Sequence, residues 1–206
     1  MITQKLINSA YSYDEYRRFI EKLISEGKTS GPNQDKSLVD YTKLNFARMS
    51  RIDKTTMVNK DIKNEVSFLK NKWIWFVLTE AWCGDAANIN PVIAKIAGAD
   101  SNVELKFILR DENHDIMDRY LTNGTRSIPL LICIDAISLE EVGKWGPRPA
   151  NLQKEVNEFK NKPGFNLDEL KKFIQMWYFE DKTQTIQKEF LENIKKWKNE
   201  KNNSSI

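Results

Sequence analysis

The sequence predicts an α/β fold: a mixed sheet flanked by helices, with an all-helical N-terminal extension and a long C-terminal helix. Three observations point there. Apolar residues recur at helical spacing through the first seventy positions. At Trp73 the period changes to a continuous apolar run, Trp73-Ile74-Trp75-Phe76-Val77-Leu78, after which strand and helix patterns alternate to about residue 160. Helical spacing then returns and holds almost to the C-terminus.

Taken in order, Ser12-Tyr13-Asp14-Glu15 is a capping box that opens a helix through Tyr16, Phe19, Ile20, Leu23 and Ile24. Gly27 stops it, and Gly31-Pro32-Asn33 makes a loop. A second helix is expected over 37–53, with Leu38, Tyr41, Leu44 and Met49 on or near one face. A third, weaker pattern covers Ile62, Val66, Phe68 and Leu69. The run at 73–78 suits a strand buried on both faces. A helix containing Pro91 should follow Cys83 and end at Gly98, and 103–109 alternates as a second strand. Ile116, Met117, Tyr120 and Leu121 suggest a helix ending before Gly124. Strands are expected at 130–134 and 137–142, and a helix at 151–159. Asn166-Leu167-Asp168-Glu169 caps the last stretch, read as helical over 168–198 with Phe173, Ile174, Trp177, Phe190, Ile194 and Trp197 as its apolar residues. Lys195, Lys196, Lys198 and Lys201, followed by Asn202, Asn203 and Ser204, read as a fraying, solvated helix end. The expected division is a helical extension over 1–70, an α/β domain over 71–162, and a C-terminal helical segment over 163–206 that packs on the domain.

Composition narrows the function. The 206-residue chain has a formal net charge of +3 without a basic stripe, which argues against nucleic acid. The longest apolar run is strand-sized, so no membrane span is expected. Residues 1–10 lack the basic start and apolar run of a secretory signal, so a cytoplasmic location is expected, where thiols stay reduced. Two cysteines, Cys83 and Cys133, make no disulfide framework. His114 is the only histidine and has no ligand cluster around it, so no metal is expected, nor is any cofactor. No phosphate loop, Ser/His/Asp pattern or paired-carboxylate motif stands out.

The stretch Ala81-Trp82-Cys83-Gly84-Asp85-Ala86 sits at a strand-to-helix junction. Pro91 follows Cys83 by eight residues, Ile128-Pro129 precedes a strand, and Gly146 follows the closing hairpin. In these features residues 70 to 160 resemble the thioredoxin family. The resemblance implies that Cys83 is the reactive residue and that Pro129 is a cis-proline lying against it. It also implies a partner groove formed by Trp82, Gly84, Asp85, Ile128, Pro129, Gly146 and Arg148. A bacterial thioredoxin-like subgroup with longer helical N-termini is similar too. Three positions depart from the family. Ala86 replaces the resolving cysteine, Asp85 the motif proline, and Val77 a buried aspartate used in proton transfer. Without a second thiolate Cys83 cannot release a mixed disulfide by itself, so ordinary dithiol cycling is not expected.

Cys133 does not supply the missing thiol. It lies four residues beyond Pro129 along a strand, about 13 Å at roughly 3.3 Å per residue, against Cα separations of ~4.4–6.8 Å in disulfides. It reads as a small buried hydrophobe.

At the first turn of a helix, Cys83 faces unpaired N–H groups that lower a thiol pKa, while Asp85 opposes them. Arg148 reads either as a solvated residue at a rigid helix entry or as a contact for an anion such as a glutathione carboxylate. Two functions remain open. One is single-thiol redox chemistry, in which Cys83 forms mixed disulfides with a protein or low-molecular-weight thiol. An iron–sulfur variant of it ranks low, because 135–143 does not match the glycine-rich segment of monothiol glutaredoxins. The other is a non-catalytic binding module that docks a partner beside the cis-proline. The state of Cys83 separates the two.

Overall fold

The computed structural model describes residues 2–203, and the side chains as far as residue 200. Ser204, read as part of the fraying end, lies outside the described residues. The fold is built around β1 (Trp73–Thr79), in which every residue is buried. Its continuous apolar run leaves no face for water, so it must sit mid-sheet between two layers. The sheet order is β2-β1-β3-β4. β2 (Val103–Leu109) pairs with β1 in parallel, while β3 (Leu130–Asp135) and β4 (Glu141–Trp145) are antiparallel neighbours in turn.

Strand alternation divides the core in two. Trp73, Trp75, Val77, Phe107, Leu131 and Cys133 point to one face. That side carries α2 (Tyr13–Ser25), α3 (Lys36–Thr55), α4 (Lys60–Ser67), α5 (Gly84–Ala97), α7 (Ala150–Lys160), α8 (Leu167–Asp181) and α9 (Gln184–Asn203). Ile74, Phe76, Leu78, Ile132 and Ile134 point to the other face, covered more thinly by α1 (Gln4–Ser9) and α6 (His114–Met117).

The flanking helices share this core. α3 packs on α5, and α4 on α9. Tyr11 exchanges backbone hydrogen bonds with Phe107 (2.9 and 2.7 Å), which blunts the open edge of β2. α9 returns over β4: Phe190 lies between Trp75 and Trp145, and Trp197 meets Trp73 edge-on at 6.2 Å. Gly143 is required there, because a Cβ would collide with the Trp197 indole.

The capping box forms as expected, with Glu15 accepting from the Ser12 N–H at 2.7 Å. Several expectations are corrected. α1, capped by Thr3, was not foreseen. In α3 the buried face is Val39, Thr42, Asn45, Met49 and Ile52, whereas Leu44 is 48% exposed. Phe68 lies beyond the end of α4 and is exposed. The helix expected through Leu121 shrinks to the single turn α6, because the chain reverses at Asn123-Gly124, both with positive φ. β4 starts at Glu141, not 137: Asp135 Oδ1 accepts from the N–H groups of Ile137 and Ser138 (3.0 Å each), and this turn takes the residues read as strand. The last helical stretch breaks at Lys182 and Thr183, whose positive φ separates α8 from α9. Lys198 is partly buried and bonds Glu65 at 2.7 Å rather than standing in solvent.

Buried polar groups tie the loop before α3 to the end of β1. Glu80 is 1% exposed; its carboxylate accepts from the Ser30 hydroxyl and from the Asp111 N–H at 2.9 Å. Ser30 Oγ in turn accepts from the Ala81 N–H at 2.8 Å, and Asn45 donates to the Ala81 carbonyl at 3.0 Å. Together these bonds hold the segment that leads into Cys83.

Two outcomes are expected. Gly143→Ala should lower stability by about 1–3 kcal/mol in urea unfolding, through overpacking against Trp197; an unchanged midpoint would refute the contact. Burial pushes the Glu80 carboxyl up from 4.5 to about 7. A raised acid stabilises the fold fully below its unfolded pKa, and that contribution is lost as pH climbs towards 7. Between pH 4.5 and 8 the parent should therefore lose on the order of 3 kcal/mol more than Glu80→Gln. Parallel pH profiles would count against it.

Candidate functional site

The site forms where β1 gives way to α5. The chain turns through Glu80, Ala81 and Trp82, closed by a bond from the Cys83 N–H to the Glu80 carbonyl at 3.1 Å. Cys83 is the N-cap of α5, and its Sγ accepts from the Ala86 N–H at 3.5 Å. The thiol donates to the Ile128 carbonyl at 3.4 Å. It sits among Leu78, Ile116, Met117, Ile128 and Leu130 and is 8% exposed.

Competing effects act on this sulfur. Burial and the neighbouring Asp85 carboxylate raise its pKa; the N–H groups of Ala86 and Asp85 and the charge of Arg148 lower it. Burial wins, and the thiol is pushed up to about 12. The lowering expected from the helix N-terminus is real but too small.

Asp85 is itself buried, and its carboxylate is fully engaged. Arg148 grips it with two bonds, Nε to Oδ1 at 2.9 Å and Nη2 to Oδ2 at 2.7 Å. Tyr178 donates its hydroxyl to Oδ1 at 2.8 Å. Arg148 also donates to Gln153 Oε1 at 3.2 Å. Neither sequence reading of Arg148 holds: it is not solvated, and its guanidinium fork faces an internal carboxylate rather than an external anion.

Sequence reasoning read a helix from the Asn166 cap but missed its contacts with the site. Gln175 accepts from Asn88 at 2.9 Å and donates to the Gly84 carbonyl at 3.5 Å, while Tyr178 reaches Asp85. A Cβ on Gly84 would lie 3.1 Å from Gln175 Nε2, so a small residue keeps α8 close. The apolar spacing of Phe173, Ile174 and Trp177 announced a packed helix, but nothing in it named the surface covered.

The remaining site residues lie nearby. The Arg110 guanidinium stacks over the Trp82 ring, 4.8 Å from its centroid. The Ile128–Pro129 and Gly146–Pro147 peptides are cis. Gly146 has φ +130°, and a Cβ there would strike the Pro129 carbonyl, so Gly146 and Pro129 are in close apposition. Ala86 is 2% exposed. Val77 and Cys133 point to the sheet face opposite Cys83, and neither cysteine is in a disulfide. Trp82, Cys83, Gly84, Asp85, Ile128 and Arg148 line one cleft of about 710 Å³, with Arg110, Arg126, Lys160 and Lys171 around it. Arg110, Arg126 and Lys171 pair with Asp111, Asp118 and Asp168. Among the described residues no cluster of His, Cys, Asp and Glu could hold a metal, and no helix is long and apolar enough to cross a membrane.

Two solved structures are similar to the whole arrangement. A protein of unknown function from Pseudomonas aeruginosa is 16% identical, with a TM-score of 0.55 over 90% of this chain and 98% of that one. An HIV epitope scaffold is 14% identical, with a TM-score of 0.54 over the same shares. At such identity both speak to the fold alone. No curated protein matches. A family model described as thioredoxin matches residues 31–160, from the loop before α3 to the end of α7, and the chain thus belongs to the thioredoxin family.

Proposed function

We propose that this thioredoxin-family chain is a binding protein, docking a partner segment in the cleft beside Pro129, and that Cys83 is kept as a thiol. One observation carries the reading: Cys83 is buried, donates to the Ile128 carbonyl, and has its pKa pushed up to about 12. At pH 7 the sulfur is then held almost wholly as the thiol, which disfavours attack on a disulfide. Ala86 and Val77 support the same reading, since neither can resolve a mixed disulfide or carry a proton. The cleft offers a partner the Trp82 indole, the apolar Ile128 and a rim of cations. The cytoplasmic setting inferred from the sequence is kept as part of the proposal.

The single-thiol alternative draws on a different feature. Cys83 lines the cleft and has the Ala86 N–H aimed at its sulfur. In that reading the Cys83 thiolate attacks a disulfide, one thiolate leaves, and an external thiol later reduces the Cys83 mixed disulfide.

Alkylation of Cys83 against pH, in a Cys133→Ser background, separates the two. The binding reading expects a midpoint well above the free-thiol value of about 8.5. A midpoint well below it would support the single-thiol reading. Asp85→Asn should move the midpoint down, because it removes the nearby negative charge while Arg148 remains; an unmoved midpoint would show that Asp85 does not influence the sulfur. For docking, peptides selected from a random display library on the parent should bind Trp82→Ala at least tenfold more weakly. Peptides indifferent to both Trp82→Ala and Arg110→Ala would remove the cleft as a docking site.

A further inference from the structure

A second surface adjoins the Cys83 cleft across Tyr41, Lys171 and Gln175. α3 packs on α5 and α8 on α7, and a groove of about 990 Å³ runs between α3 and α8. Its apolar lining is exposed: Leu44 is 48%, Met176 56% and Phe179 57% accessible. Tyr41, Leu44, Arg48 and Arg51 recur at helical spacing along α3, the stripe whose apolar members the sequence suggested for the core.

The charges on this groove are unbalanced. Arg48 is partly buried, yet among the described residues its hydrogen-bond partner is the neutral Asn45 Oδ1, at 2.9 Å. Burial disfavours its protonated state, Tyr41 opposes this, and the like charge of Arg51 adds to it; the net shift is downward. The Arg51 guanidinium lies over the Phe179 ring at 5.4 Å, and Lys172 also faces the groove. Among the described residues, none of these three cations is ion-paired with a carboxylate. Among the described residues Asp168 is the one acid lining the groove, and it is taken by Lys171 at 3.0 Å. A partly desolvated guanidinium with a cationic neighbour and no counter-charge is costly alone; a carboxylate from outside would relieve it.

We propose that the groove between α3 and α8 docks an acidic amphipathic helix of a partner protein. The α8 residues that line the groove run from Asp168 to Phe179, about 17 Å at roughly 1.5 Å per residue, so the groove can hold about three turns of an incoming helix. Leu44, Met176 and Phe179 would receive its apolar face at i, i+3, i+4 and i+7, with acidic flanks against Arg48, Arg51 and Lys172. Burying these side chains supplies attraction, and the unbalanced cations supply the preference for acidic over basic partners. This surface is separate from the cleft read above, although Tyr41, Lys171 and Gln175 border both.

The test uses the full chain and a fluorescein-labelled 16-residue peptide with Leu and Phe at those spacings and Glu on its flanks. Lysine-flanked and apolar-scrambled versions serve as controls, and anisotropy is the readout. The acidic peptide should bind at least tenfold tighter than either control, and weaken as salt rises. Arg48→Glu/Arg51→Glu should reverse the charge preference, and Phe179→Asp should abolish binding. Trp82→Ala should leave it unchanged, so that failure of the cleft and failure of the groove are read separately. Circular dichroism checks that each variant is folded. Equal binding of acidic and basic peptides, or no binding, would overturn the proposal. So would parent self-association that Phe179→Asp abolishes, which makes a second copy the occupant. Phosphatidylserine vesicles binding in place of the peptide would overturn it too, making a lipid surface the occupant.

Discussion

The site depends on one buried charge. Asp85 stands in the first turn of α5, Arg148 precedes α7, and Tyr178 comes from α8; the carboxylate joins all three elements. Such a pair adds little net stability compared with apolar packing, but breaking it is expensive, about 3–5 kcal/mol when one partner is removed. Its value here lies in selecting one arrangement. With Arg148 and Tyr178 bonded to Asp85, α8 lies against the start of α5 and Gln175 reaches Gly84. The Asp85 charge near the sulfur and the burial of the sulfur both raise the thiol pKa.

The central strand sets where the departures from the family pattern fall. β1 is buried on both faces, so its side chains alternate between two sealed compartments. Val77 belongs to the thicker layer, Cys83 to the thinner one, and Cys133 lies with Val77. Glu80 is the ionisable residue buried nearby at the end of this strand, and its carboxylate is committed to Ser30 and Asp111. In this fold Glu80 holds a loop.

Much of the architecture was legible before any coordinates. The capping box at Ser12, the buried run from Trp73, the junction at Cys83 and the alternation in β3 are local signals, carried by residues adjacent or one helical turn apart. The errors share a cause. The face of α3 was misread because helical spacing shows that a stripe exists, and Tyr41 and Leu44 form a stripe as regular as Val39, Thr42 and Met49. The strand expected at 137 was lost to Asp135, whose side chain satisfies the turn that follows it. The break at Lys182 has no glycine or proline to announce it.

For the site, the sequence by itself determined which groups are absent, namely a second thiol at Ala86 and an acid at Val77. It also determined that Trp82, Cys83, Gly84 and Pro129 stand in a thioredoxin-like order. Only the tertiary structure decided the state of what remains. The pKa of a thiol depends on desolvation and on charges a few ångströms away. Tyr178 is 93 residues from Asp85 in the chain and Arg148 is 63, yet both are in hydrogen-bonding contact with it. A helix N-terminus is a local feature and could be read from the motif. The burial that overrides it comes with the apolar cluster of the thinner layer to which Cys83 belongs, and folding alone brings those residues together.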